Sequence, residues 1–413
     1  MAVLFKNGLL IDGLGGYLER ADVLVEGERI AAAGRDVSVP PGNDARVVDL
    51  GGRTLMPGLV DCHVHIGGGD YFPGYEQEPI GVAAIRTAEA ATRTLMAGIT
   101  TVRTAASRDY LDLDIRDSIR LGLIKGPRIV GSGRGITTTG GHLHDIAIEA
   151  DGVEEVRKAV RLHVKRGADS IKLMMSAGVA TAGLPVQAEQ FSVDEVKAAV
   201  YEAHKVGLRV LTHAIGLGGI RNAVEGGVDS VDHGHYLDEE QATRMKERGI
   251  YLVPTFGPGY YYTKVRQAEA WRVARADAVE QQHTRAFKLA LDLGLKMAMG
   301  CDCGAPSRMP NGANALELAL MVEHGMSAER ALVCGTSEAA NLIGLGDRLG
   351  SVSVGKLADL IVVDGNPLDD IAALQHRVQL VMKGGEVVRD DFAGNGTDDP
   401  PVARVIRAGR RQS

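Results

Sequence analysis

The stretch TLMPGLVDCHVH, residues 54–65, runs from an apolar segment straight into two imidazoles two positions apart. In a strand, side chains alternate between faces, so Asp61, His63 and His65 share one side while Cys62 and Val64 take the other. Two ring nitrogens side by side at a strand end can grip one metal ion; two surface histidines would do nothing. The remainder of the chain bears on the choice. Strand-like stretches recur as GLVDCHVH (58–65), GITTVRTA (98–105), GPRIVGSG (126–133) and DSIKLMMS (169–176), then LRVLTHA (208–214), DSVDHGH (229–235), GIYLVPTF (249–256) and LKMAMGCD (295–302). Helical stretches such as GVEEVRKAVRLHVKRG (152–167) and SVDEVKAAVYEAHKVG (192–207) fall between them. The second opens with Ser192 and Glu195 at capping-box spacing and closes at Gly207. Eight strands with intervening helices predict an α/β chain with a (β/α)8 TIM barrel, for which ~250 residues is typical. An open doubly wound sheet is the alternative, but no G-x-G-x-x-G follows the first strand.

Barrel chemistry gathers at the C-terminal ends of the strands. The first strand ends in His63 and His65, the fourth holds Lys172, the fifth ends in His213, the sixth in His233 and the eighth in Asp302. A random scatter of 12 histidines would not select strand ends in this way. A lysine inside a strand is costly to bury unless it is paired or chemically altered.

The residues flanking the barrel have another character. Positions 1–57 and 347–393 read as short strands and Gly-rich turns, which predicts one small composite β-sandwich domain built from both chain ends. The barrel then spans 58–346, and 394–413 form a C-terminal tail. Of 413 residues, 45% are hydrophobic and the formal net charge is −7, so no basic footprint for nucleic acid exists; the basic end RVIRAGRRQS (404–413) reads as a frayed tail. No apolar run approaches the ~20 residues of a membrane helix, and the start MAVLFKNGLLIDGLGG lacks the layout of a signal peptide. Four cysteines (62, 301, 303, 334) in so long a chain make no disulfide framework, and the C-x-C at 301–303 lacks the usual zinc-knuckle gap. A reducing cytoplasm is expected.

The motifs MPGLVDCHVH, GADSIKLMMSAG, THAIG, VDHGHYLD, GCDCGAP and GKLADLIVVDGNPLDDI together resemble the metal-dependent amidohydrolase superfamily, and more narrowly its imidazolonepropionase-like and prolidase-like branch of Xaa-Pro dipeptidases and related carboxypeptidases. The resemblance spans all but about the last 20 residues. It implies two divalent cations, zinc by preference. His63 and His65 would hold the first, His213 and His233 the second, with Lys172, carboxylated by CO2, and a hydroxide bridging both. Asp302 would bind the first cation and move protons. Two such cations lower the pKa of bound water, and a carboxylate can carry its proton to a leaving nitrogen. The implied reaction is hydrolysis of an amide-type C–N bond, with N-acyl amino acids or dipeptides expected as substrates. Aromatic amides, carbamates, ureas, lactones and esters are the alternatives. A non-catalytic scaffold is a remote reading, because all six ligand positions carry competent residues. Deaminases of the superfamily usually lack the bridging lysine. The partner expected is a small molecule, with neither nucleic acid nor membrane, and the chain is expected to form a homo-oligomer.

Further residues are expected near substrate. His142, in RGITTTGGHLHDIAIEADG (134–152), is the candidate for polarising the scissile carbonyl or holding a carboxylate. His144, His235 and Tyr236 are weaker candidates for substrate contact. Ile215 stands where related dipeptidases carry a polar residue. The segment GPGYYYTKVRQAEAW (257–271) concentrates Tyr260, Tyr261, Tyr262 and the one tryptophan, which predicts a loop forming a substrate wall or a subunit contact, with Tyr260 facing substrate. The segment 304–316 is expected at the mouth. Met174 and Met175 read as core filler.

Overall fold

Short apolar strands build the first sheet of the computed structural model, which describes residues 2–41, 44–66, 77–266, 268–304 and 309–392. Strands β1 (Ala2–Ile11), β2 (Tyr17–Glu26) and β3 (Arg29–Gly34) form an antiparallel meander. β4 (Ala45–Asp49) and β5 (Thr54–Pro57) run parallel to successive halves of β1. Every second side chain, as in Val3 and Phe5 or Ala21, Val23 and Val25, enters one core.

From β6 (Leu59–Val64) onward, strands and helices alternate: α1 (Ile80–Met96), β7 (Ile99–Thr104), α2 (Leu111–Arg120), β8 (Arg128–Val130) and the two-residue β9 (Ile136–Thr137) and β10 (Ile148–Glu149). Next come α3 (Gly152–Lys165), β11 (Ser170–Met174), α4 (Val193–His204), β12 (Arg209–Ala214), α5 (Leu217–Gly226), β13 (Ser230–His233), α6 (Glu239–Arg248) and β14 (Tyr251–Val253). Every residue of β6, β7, β11, β13 and β14 is buried, as expected of parallel strands covered on both faces. The helix at 192–207 forms with its capping box, Glu195 accepting the Ser192 N–H at 2.8 Å.

The hydrogen-bonded order is β6-β7-β8 in one sheet and β10-β9-β11-β12-β13-β14 in the other. Short contacts close them into a ring. Asp169 and Ser170 N–H donate to Gly131 O at 2.7 and 3.1 Å, joining the β8 side to β11. Leu252 N–H donates to Lys296 O and Cys62 N–H to Met299 O, so residues 295–302 form the eighth stave between β14 and β6. That stave pairs through isolated bridges, Leu252 with Met297 and Val64 with Cys303, and is not a continuous strand. Its backbone turns left-handed at Asp302 (φ 56°), which ends any extended run.

The chain returns to the first sheet with β15 (Leu360–Val363), β16 (Val378–Lys383) and β17 (Glu386–Asp390). The sheet order is β17-β16-β15-β5-β1-β2-β3, with β4 on β1, so both chain ends build it. By packing, the chain falls into two compact units, one of 1–61, 92–101 and 312–413 carrying this sheet, the other of 62–91 and 102–311 carrying most of the barrel. The expected tail and residues 305–308 of the mouth segment lie outside the described residues. The expected loop at 257–271 is largely helical: α7 (Phe256–Tyr260) runs into a π-helical turn (Tyr261–Val265), and α8 (Ala270–Asp292) comes next. Pro258 is tolerated there because it sits in a first turn, where its missing N–H costs nothing. Among the described residues no helix is long and apolar enough to cross a membrane.

Gly300 lets the eighth stave pass the first. A Cβ at this position would lie 2.3 Å from Val253 Cγ1 and 2.8 Å from His63 Cβ. Gly300→Val is therefore expected to lower stability by about 1–3 kcal/mol through overpacking. Urea denaturation checks this, and an unchanged midpoint would show that the stave yields freely.

Candidate metal site and cavity

The ring brings the six strand-end residues to one place. Parallel register sets Met174 of β11 beside His213 of β12, and His213 beside Asp232 of β13. Alternation would then turn His233 to the opposite face. Instead His233 adopts a left-handed backbone (φ 77°), and its ring lies 4.4 Å from that of His213 and 4.9 Å from that of His63, centroid to centroid. Such a conformation costs on the order of 1 kcal/mol or more and persists where surroundings impose it. Ligand atoms of His63, His233 and Asp302 all lie within 4.8 Å of one another, a group able to hold a metal ion. His65 Nε2 and His63 Nε2 lie 3.1 and 3.6 Å from Asp302 Oδ1.

An imidazole can present a lone pair only if its other nitrogen is held as a donor. His63 Nδ1 lies 2.7 Å from Asp232 Oδ2, and His65 Nδ1 3.3 Å from Ala106 O. His213 Nε2 lies 3.2 Å from Ala177 O. His233 Nδ1 lies 2.6 Å from Thr255 Oγ1, whose own hydrogen goes to Pro254 O at 2.6 Å, so Thr255 accepts from the ring. Each of the four rings thus donates outward and turns its remaining lone pair inward. His142 is the exception. Its Nδ1 lies 2.6 Å from Thr181 Oγ1, which already accepts from Gly178 N–H at 2.9 Å. Thr181 Oγ1 has no other acceptor for its hydrogen among the described residues, and donation to Nδ1 would leave the His142 proton on Nε2 as a donor. His142 stacks on His213 at 4.0 Å.

Burial is the leading influence on five of the site's rings. It pushes His63 down to about 4, His142 and His235 to about 3, and His213 and His233 well below the usual imidazole value. These rings are neutral at pH 7. Burial pushes the Lys172 amine down to about 8, against the pull of Asp232 and Asp302. Burial favours a neutral Asp302, but His63, the contact with His65 and Lys172 outweigh it and hold the carboxyl below its usual value.

These details test whether the residues fit a cation. His65 Nε2 lies 3.1 Å and His63 Nε2 3.6 Å from the same oxygen, Asp302 Oδ1, so one cation could take all three as ligands. Lys172 Nζ is fully buried and has no hydrogen-bond partner among the described residues. The donor set, imidazoles with one carboxylate, suits a borderline divalent ion. The residues fit.

Two charged residues behind the site escape a reading of the sequence by strand ends. Arg103 of β7 donates from Nε to Cys62 O at 2.6 Å and from Nη2 to Ser230 Oγ and Asp232 Oδ2, both at 3.2 Å. Arg103 is 1% exposed and Asp232 fully buried, so neither is a solvated surface charge. Burial would raise the Asp232 carboxyl, but the Arg103 charge and the His63 hydrogen bond hold it low. The signal that could have found them is an arginine inside the apolar run GITTVRTA, because a cation buried there must have a partner.

His63, His65, His142, Lys172, His213, His233, His235 and Asp302 line one cavity. Ile215, Met174, Val179, Pro258, Tyr262, Val279 and Glu280 belong to its wall. His235 stacks face to face on His283 of α8 at 3.9 Å. Three expected substrate contacts are not among the lining residues. His144 is exposed on a turn, where left-handed Leu143 (φ 57°) separates it from the His142 side. Tyr236 lines a different cavity with Gln187, Gln282 and Arg285. The π-helical turn brings Tyr262 to the wall instead of Tyr260.

A model of the Amidohydrolase family matches residues 54–388. The ochratoxinase of Aspergillus niger is 33% identical over 95% of this chain and 88% of its own. A solved Xaa-Pro dipeptidase with methionine in its active site superposes with a TM-score of 0.86, at 34% identity, over 94% of this chain and all of its own. A prolidase complexed with N-methylphosphonate-L-proline gives 0.86 at 32% identity, with 94% and 100% coverage.

Asp232→Asn removes the charge that holds His63 Nδ1 as a donor. Metal affinity is expected to fall roughly 10–100-fold, the usual cost of losing a partner behind a ligand. Competition with a chromophoric chelator measures it, and unaltered affinity would remove Asp232 from this role.

Proposed function

The chain belongs to the amidohydrolase family, hydrolases of C–N bonds, and from that premise we propose that it cleaves N-acyl amino acids or dipeptides with a pair of divalent cations, zinc by preference. The observation that carries the reading is the set of polar partners on five histidines, which would sort them into four inward lone pairs and one N–H donor, around a buried amine with no hydrogen-bond partner among the described residues. His63, His65 and Asp302 would hold one cation, His213 and His233 the other, with Lys172 between them. When bound, the cations polarise the carbonyl and lower the pKa of a water molecule.

The residues do the rest. With burial favouring its neutral form, the Lys172 amine can attack the carbon of CO2, forming a C–N bond and releasing a proton. The resulting carbamate supplies two anionic oxygens where an ammonium would repel cations. Asp302 accepts a proton from the attacking water and returns it to the departing nitrogen. His142 Nε2–H donates to the carbonyl oxygen as negative charge develops on it, and it stays neutral in this role because its pKa lies far below 7.

The cavity wall bears on the substrate. Leu143, Met174, Ile215, Tyr262 and Val279 offer an apolar surface suited to a bulky side chain next to the scissile bond. That surface, and the similarity to ochratoxinase and to a phenylurea hydrolase with a TM-score of 0.79 at 26% identity, favours aromatic amides or ureas as the second reading.

Lys172→Ala is expected to retain fewer metal equivalents than wild type by elemental analysis; two tightly bound equivalents in that variant would refute the bridge. Asp302→Asn is expected to keep its metal and lose about 100-fold or more in kcat. A panel of N-acyl amino acids, dipeptides and aryl amides, assayed with zinc and bicarbonate, tests the substrate class, and turnover confined to esters would overturn it.

A further inference from the structure

Arg275 of α8 is bound in an unusual way. Its Nη1 donates to Thr181 O at 2.8 Å, and its Nη2 donates to Gly178 O at 2.9 Å and Leu184 O at 2.8 Å. Its Nε is buried with no partner among the described residues. All three acceptors are carbonyl oxygens of one short stretch of backbone, and the guanidinium also lies over the Trp271 ring, 5.8 Å from its centroid. Burial accordingly lowers its affinity for a proton. A planar fork can tie three carbonyls together, which a lysine ammonium on a flexible stem does less well.

The stretch it ties is the segment after β11, residues 177–184. Val179 and Ala180 belong to the cavity wall. Thr181 Oγ1 sets the proton of His142, and Ala177 O takes the outward N–H of His213 at 3.2 Å. Gly178 packs beneath both rings: a Cβ there would lie 2.8 Å from His142 Cε1 and 3.0 Å from His213 Cε1. The segment has neither helix nor strand between Ala177 and Leu184 to hold its shape.

We infer that Arg275 is a positioning residue: its guanidinium clamps residues 178–184 so that Thr181 holds His142 with its donor toward the substrate carbonyl. The inference rests on the proposed role of His142. Through α8, which also supplies Ala276, Val279 and Glu280 to the wall, the clamp joins the substrate-facing helix to the residue that polarises the bond.

The test uses Arg275→Ala, Arg275→Lys, Thr181→Val and the double variant Arg275→Ala/Thr181→Val, all metal-loaded. Arg275→Ala is expected to lower kcat roughly ten- to hundredfold, the scale of a small misplacement, with a smaller change in KM. It is also expected to speed amide hydrogen exchange in 177–184 while exchange in β12 and β13 holds. Added guanidinium ion, below denaturing concentration, is expected to restore both. Arg275→Lys should fall between, and it carries the test if the alanine variant does not fold. The double variant is expected to be no slower than the worse single one, because both act through His142. Unchanged kcat in Arg275→Ala and Arg275→Lys, or a loss that neither guanidinium nor loop protection tracks, would overturn the clamp. His142→Ala separates the two ideas: if it turns over normally, the role of His142 falls, whereas a slow His142→Ala beside normal Arg275 variants condemns the clamp alone.

Discussion

A neutral imidazole has one lone pair and one N–H, and the chemistry of this site is decided by which is turned inward. The ring cannot choose by itself; the group bonded to its far nitrogen chooses. A carboxylate, two backbone carbonyls and a threonine whose hydrogen is already committed make His63, His65, His213 and His233 lone-pair donors. A threonine whose hydrogen is not committed elsewhere makes His142 the opposite. Two threonines at equal distances, 2.6 Å each, therefore give two histidines contrary chemistry. The cost falls on the surrounding shell, which must keep Asp232 ionised in a dry interior, and Arg103 meets it. Removing one partner of such a buried pair costs several kcal/mol, so the barrel interior tolerates little change there.

Much of this was legible in the sequence. Strands β6, β11 and β12 stand where apolar runs carry His63, Lys172 and His213, because buried parallel strands leave few alternatives for such runs. The capping box at Ser192 and Glu195 was equally readable, since its determinants lie within one turn. His233 was located by its position at a strand end, but not by the reason it reaches the site. Alternation assigns Asp232 and His233 to opposite faces, and only a left-handed residue brings both inward. Backbone conformation of that kind is imposed by neighbours distant in sequence and leaves no local mark.

The less legible parts share that cause. The tautomers depend on Thr255, Ala106, Ala177 and Thr181, residues of ordinary character whose roles are set by tertiary placement. The YYY run was readable as a concentration of rings, whereas the π-helical turn that directs Tyr262, not Tyr260, to the wall was not. His142 and His144 stand two apart in the sequence, yet a turn and not a strand carries them, so the period-two rule does not apply.

The sheet shared by the two ends of the chain bears on how the molecule is made. Thr54 Oγ1 donates to Gly365 O at 2.6 Å across 311 residues of sequence. A ribosome adding about 5–20 residues per second needs on the order of tens of seconds to bridge that gap. Throughout that interval the edge of β5 waits without its neighbour β15, while the barrel residues emerge. The nascent amino-terminal strands thus spend most of translation as an open edge, the state in which strands pair with the wrong chain. Closing so long a loop costs entropy that grows only slowly with length, so delay, not thermodynamics, is the hazard, and chaperone demand should track elongation rate.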